Sequence, residues 1–233
     1  MPANGPRGRR TRGVLFDVDG TLVDSSYLHT VAWWQAFRQA GLDVPMSSIH
    51  SSVGMGGDKL VDRLLPPSRD KSRDASILTA HGAVFSTFWP ALRAFDGARD
   101  LLAQCYESGF AVALASSARA QDLEVLRATL RADSYIHAAA SANDAKEGKP
   151  DPDILEAALA AIGLQAGDVV YVGDAVWDVY AAARLDIPTI GLTCGGTGAA
   201  TLLEAGAVEI YENPRDLLTN LRDSAIGRLA TRS

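Results

Sequence analysis

Two aspartates separated by one residue, Asp17-Val18-Asp19-Gly20-Thr21, follow directly on the apolar run Val14-Leu15-Phe16. In an extended segment residues i and i+2 point the same way, so both carboxylates can face one ligand, and Gly20 then permits a sharp turn. Ionised side chains at the rim of an apolar sheet must be paired, hydrogen-bonded or bound to a cation, because burying a lone carboxylate costs several kcal/mol. A metal or a reaction is implied. A calcium-binding helical loop would also need an oxygen ligand at position five, Gly at six and Glu at twelve. Those positions hold Thr21, Leu22 and Leu28, so the calcium reading fails on two of the three.

Further polar residues close other apolar runs. Ser116-Ser117 follow Phe110 to Ala115, Lys149 sits in Gly148-Lys149-Pro150, and Gly173-Asp174 follow Val169 to Val172, with Asp178 four residues on. Together they describe a phosphoryl site. Serine and lysine can hold phosphate oxygens by hydrogen bond and charge, and aspartates can hold a hard divalent ion through oxygen. Taking Asp17, Asp174 and Asp178 as ionised against the single ammonium of Lys149, the bare site carries two excess negative charges and repels a phosphate dianion. One Mg²⁺ would cancel that excess and supply the electrophile that phosphoryl transfer uses, so a strict magnesium requirement is expected.

These residues need a scaffold that brings strand ends together. Short apolar or β-branched runs recur at Val14 to Phe16, Phe110 to Ala115, Tyr135 to Ala139, Val169 to Val172 and Thr189 to Leu192, with helical stretches between them. Alternating β and α elements predict an α/β fold, a doubly wound parallel sheet of Rossmann-like type. The rhythm breaks between Asp24 and Phe95. There Leu28, Val31, Trp34 and Phe37 recur at helical spacing and no strand pattern is present. Ser25 or Ser26 can cap the first helix and Gly41 can end it, Pro66-Pro67 stops another, and Ile77 to Trp89 supplies a third. The expected organisation is a tail over residues 1–11, a core over 12–25 and 94–233, and a small inserted α-helical cap over 26–93, above the sheet edge where ligands bind in such folds.

Composition narrows the partners. The 233 residues carry a formal net charge of −6, which argues against nucleic acid or an anionic membrane. Cys105 and Cys194 lack CxxC spacing, so a disulfide framework and a zinc site are not expected. No apolar run reaches the roughly 18 residues of a membrane span. The glycine-rich runs at Gly54 and Gly195 complete neither nucleotide-binding pattern. A cytoplasmic enzyme, monomer or homodimer, acting on a small phosphorylated metabolite is the expectation.

The motifs, in their order, resemble the haloacid dehalogenase superfamily, and the helical insertion is similar to the small C1-type cap of its phosphoglycolate phosphatase and β-phosphoglucomutase-like members. The resemblance implies Asp17 as a nucleophile forming an aspartyl-phosphate and Asp19 as the general acid that then activates water. It implies Thr21 as the group orienting Asp19 or phosphate, and Ser116, Ser117 and Lys149 as phosphate ligands. Magnesium would be held by Asp17, the Asp19 carbonyl and Asp174, with Asp178 holding its waters or neighbouring groups. An acid at position 19 points to phosphate esters rather than to dehalogenation. His29, at the entry to the cap, is a candidate for facing the site, or equally an interface histidine. Lys59, in the cap loop Gly54 to Lys59, is a candidate for the substrate's distal group, or a solvated charge. Hydrolysis leads; a β-phosphoglucomutase-like phosphohexomutase and a non-catalytic binding module are the alternatives.

Overall fold

The computed structural model describes residues 11–231. The expected tail therefore lies, up to residue 10, outside the described residues. Six strands, β1 (Gly13–Phe16), β2 (Ala111–Ala115), β3 (Ala138–Ala140), β4 (Val169–Gly173), β5 (Thr189–Leu192) and β6 (Glu209–Tyr211), form one parallel sheet in the order β3-β2-β1-β4-β5-β6. The chain winds outward from β1 through β2 to β3, then returns to β4 on the other side of β1. Such a reversal opens a crevice at the carboxyl ends of the central strands.

Alternation sorts the side chains into two layers. Val14 and Phe16, with Val112, Leu114, Val170 and Val172, point to one face. There α5 (Ala98–Glu107), α6 (Ala120–Leu130), α10 (Pro214–Thr219) and α11 (Ala225–Thr231) pack through residues such as Leu101, Leu126, Leu217 and Ile226. Leu15, Ala113 and Tyr171 point the other way, against Ile154, Leu155 and Ala158 of α7 (Asp153–Ile162) and Ala181 and Ala182 of α8 (Val176–Ala183). α9 (Ala199–Ala205) closes the β5 end of the sheet by packing Leu202 in one cluster with Val179 of α8.

Two strand expectations need correction. The third run begins later than expected, because Asp133–Tyr135 winds into a 3₁₀ turn and only Ala138–Ala140 pairs with β2. β6 was not anticipated: three residues at a sheet edge offer no alternation to read.

Between β1 and β2 the chain is helical: α1 (Ser26–Gln39), α2 (Met46–His50), α3 (Gly57–Leu64) and α4 (Asp74–Ser86). They share an interior of their own, built from Trp33, Phe37, Ile49, Leu60, Val61 and Ile77. Ser25 does precede α1, but its hydroxyl makes no capping bond; it donates to Asp19 Oδ1 at 2.6 Å.

Candidate active site

The strand register explains why distant residues meet. Phe16 pairs with both Leu114 and Val172, so the next residues, Asp17, Ala115 and Gly173, lie level, and Ser116 and Asp174 follow one step beyond. The Asp17 amide continues the ladder to the Val172 carbonyl at 2.9 Å. Asp17, Asp174 and Asp178 are all buried, and each offers a carboxylate oxygen within 4.8 Å of the others. One cation pairs with two of them. Lys149, fully buried, donates to Asp17 Oδ1 at 2.6 Å and to Asp178 Oδ1 at 2.9 Å.

This crowding governs the acid–base behaviour. Burial raises the Asp17 carboxyl to about 7, with Lys149 pulling it down and Asp178 and Asp19 pushing it up. Asp174 is raised well above the ordinary carboxylate range by burial, then by Asp178 and Asp17. For Lys149, burial disfavours the charge, but the two aspartates outweigh it and hold the ammonium above its ordinary value.

A hard cation fits this donor set. Thr21 donates to Asp174 Oδ1 at 2.9 Å, while a Cβ added at Gly20 would lie 2.4 Å from Asp174 Oδ2 and one at Gly195 only 1.7 Å. The glycines leave a cradle around that oxygen. The same Cβ at Gly20 would meet Ser26 Oγ, a buried hydroxyl without a hydrogen-bond partner among the described residues. Uncompensated carboxylates and an unsatisfied hydroxyl are what a hydrated divalent ion would satisfy. Asp178 is differently engaged: Tyr171 Oη donates to its Oδ1 at 2.9 Å and the Ala175 amide to its Oδ2 at 3.0 Å. Its geometry suits holding Lys149.

Asp19 stands apart from that cluster. Its Oδ1 meets His29 Nε2 at 3.0 Å, and Ser116 Oγ approaches its Oδ2 at 3.5 Å. Burial would raise its carboxyl, but the charge and hydrogen bond of His29, with Ser25, leave it below its ordinary value. His29 Nδ1 lies 3.2 Å from His81 Nε2 on α4, and Phe85 stacks on the His29 ring at 3.7 Å. Burial, then His29 and Arg119, push His81 well below 6.5.

Three of the candidate residues have close protein partners. Thr21 reaches Asp174 and, at 3.2 Å, Asp17, not the Asp19 side chain, because the turn through Gly20 at φ +78° faces it toward β4. Ser117 lines the cavity with Asp17 and Asp19, its hydroxyl donating to the Gly54 carbonyl at 3.1 Å. Lys59 is drawn to Glu147 at 2.5 Å and Asp151 at 3.1 Å, and it does not line the cavity beside Asp17. His29 takes the site-facing option. His81, Tyr171 and the ion pair of Arg119 with Asp122 went unread; a histidine inside an otherwise apolar helix was the one available signal. The cavity itself, about 310 Å³, runs from Asp17 and Asp19 under α1, α3 and α4.

The sequence matches the haloacid dehalogenase-like hydrolase family over residues 11–186. A phosphoglycolate phosphatase from Yersinia pestis is 30% identical over 190 residues, covering 79% of this chain and 82% of that protein. The validoxylamine A 7'-phosphate phosphatase of Streptomyces hygroscopicus subsp. limoneus is 29% identical over 77% of this chain and 84% of its own length. Among solved structures, a hydrolase from Pseudomonas syringae superposes with a TM-score of 0.88 at 30% identity, over 92% of this chain and all of that one. The chain belongs to the haloacid dehalogenase-like hydrolase family. Within it, the phosphatase relatives and the buried aspartate cluster make it a phosphoric monoester hydrolase.

Proposed function

We propose that this enzyme hydrolyses a small phosphate monoester through an aspartyl-phosphate on Asp17, with Mg²⁺ as its cofactor and the helices of residues 26–93 as a cap over the site. The observation that carries the reading is the cluster of three buried carboxylates at the ends of β1 and β4, of which one buried ammonium pairs with only two, Asp17 and Asp178. Asp17 and Asp174 would hold the ion, with the Asp19 carbonyl, and the ion would neutralise phosphate oxygens so that an anionic nucleophile can approach. Lys149 and Thr21 orient Asp17. An Asp17 oxygen attacks phosphorus as the bond to the alcohol oxygen breaks, and that oxygen takes a proton from the Asp19–His29 pair. Asp19 then accepts a proton from water attacking phosphorus, releasing inorganic phosphate and freeing Asp17. Ser116, whose hydroxyl lies 3.5 Å from Asp19 Oδ2, would donate to a phosphate oxygen. Two free thiols, Cys105 and Cys194, suit a cytoplasmic setting.

Hydrolysis is favoured over a phosphohexomutase by charge. A mutase hands its phosphoryl group to a sugar that already carries a phosphate, so it needs a second anion site. Arg119, a cation lining the cavity, is tied to buried Asp122.

Stripping divalent ions with a chelator should abolish phosphate release and Mg²⁺ should restore it; full turnover by protein shown to be metal-free would overturn the reading. Because Asp17 rises to about 7 in the ion-free protein, the ion must displace a proton below that pH. Calorimetry should therefore register proton release on Mg²⁺ binding near pH 6, fading above pH 8, with affinity tightening as pH rises. Asp19→Asn should lower kcat for alkyl phosphates by about 10²- to 10⁴-fold. The pre-steady-state burst of 4-nitrophenolate should survive in this variant, because a phenolate leaves without a proton, while single-turnover cleavage of an alkyl phosphate collapses. Equal slowing of the two first steps would remove the acid role from Asp19.

A further inference from the structure

Beyond Asp19 the cavity changes character. Its walls are Trp33, Val53, Met55, Leu60, Leu78 and Ala118, apolar groups from both the inserted helices and the loop after β2. Charge in the same space is negative or already matched. Asp58 and Asp122 line it, and Arg119 is held by Asp122 through Nε at 2.7 Å and Nη2 at 3.1 Å. The Arg119 guanidinium lies so close to the backbone of α4 that a Cβ at Gly82 would come within 2.0 Å of its Nη1. It is pinned on both sides. Of the nearby lysines, Lys149 is committed to two aspartates and Lys59 to Glu147 and Asp151, while Lys146 lines a separate adjoining hollow and not this cavity. His81, buried against Trp33 at 4.0 Å between ring centroids, is pushed well below 6.5 and adds no positive charge at neutral pH.

We infer that this cavity receives the alcohol part of the substrate and selects an uncharged, largely apolar alkyl or aryl group over one bearing a second carboxylate or phosphate. The inference rests on the phosphatase reading above and narrows it. An anionic tail would meet Asp58 and carboxylates already paired with Arg119 and His29, with no uncommitted lysine or arginine among the described residues that line the cavity. A polyol could reach acceptors at Asp58 and Asp122 but would leave its other hydroxyls against the apolar walls. An apolar ring would instead exchange water for Trp33, Leu60 and Leu78.

Phosphate release should be measured with the Mg²⁺-loaded enzyme on benzyl phosphate, phosphoglycolate and glucose 6-phosphate, three esters of alkyl alcohols. Burial of a phenyl group predicts kcat/KM for benzyl phosphate about 10- to 100-fold above the other two. Leu78→Arg, which puts a free cation on a half-buried wall position, should narrow the ratio of benzyl phosphate to phosphoglycolate by about 10-fold. Preference for phosphoglycolate or glucose 6-phosphate by the wild type, or an unchanged ratio in the variant, overturns the inference and leaves the hydrolase reading standing. Absence of release from all three overturns both.

Discussion

Asp17→Asn is expected to reduce kcat by on the order of 10⁵-fold or more while the protein stays folded, since removing a covalent nucleophile elsewhere costs on the order of 10⁶. Amide nitrogen and oxygen keep the shape of the side chain but supply no anionic oxygen to attack phosphorus. Stability should not suffer. The carboxylate is under electrostatic load in the ion-free protein, where burial and the aspartates around it raise it to about 7, and Lys149 keeps Asp178 as a partner at 2.9 Å. Thermal melting and phosphate release, measured on the same preparation, check both halves. Near-normal turnover in a folded variant would end the nucleophile assignment.

Lys149→Met should be nearly as damaging to activity and far worse for the fold. The ammonium is completely buried and lies between Asp17 and Asp178. Its removal leaves two buried carboxylates facing each other, a loss of about 3–5 kcal/mol by analogy with broken buried ion pairs. The sign with pH follows from the raised Asp17. A carboxyl that binds its proton more tightly in the folded state loses stability as pH climbs through its folded value, and deleting Lys149 removes a charge that had been pulling that value down. The melting deficit relative to wild type should therefore be larger near pH 8 than near pH 5, in ion-free protein. An equal deficit at both would show that packing, not charge, is what Lys149 supplies.

Much of the site is legible in the sequence because parallel strands deliver it. Asp17 and Asp174 follow hydrophobic runs that pair in register, so reading where each run stops also reads where the carboxylates go. Asp178 lies one helical turn after Asp174, and Lys149 follows a glycine in a loop, so their convergence can be anticipated from strand order. Side-chain partners across loops are another matter. Thr21 turns toward Asp174 because of one backbone angle at Gly20, and Lys59 finds Glu147 and Asp151 from a region distant in sequence. His81 meets His29 only once α4 has packed on α1. β6 falls below the length at which alternation can be seen. For Lys59 and His81 the deciding contact joins segments distant in sequence, and local spacing names neither partner.

Acid-quenching wild-type enzyme during turnover of 4-nitrophenyl phosphate, followed by peptide mass spectrometry, tests the covalent route most directly. The expected result is one phosphoryl group on the peptide containing Asp17, present with Mg²⁺, absent after chelation and absent in Asp17→Asn. Rapid turnover with the phosphoryl group on another residue, or its equal appearance on Asp17 after the ion has been removed, would contradict a site in which a divalent cation must offset the buried aspartates before Asp17 can attack.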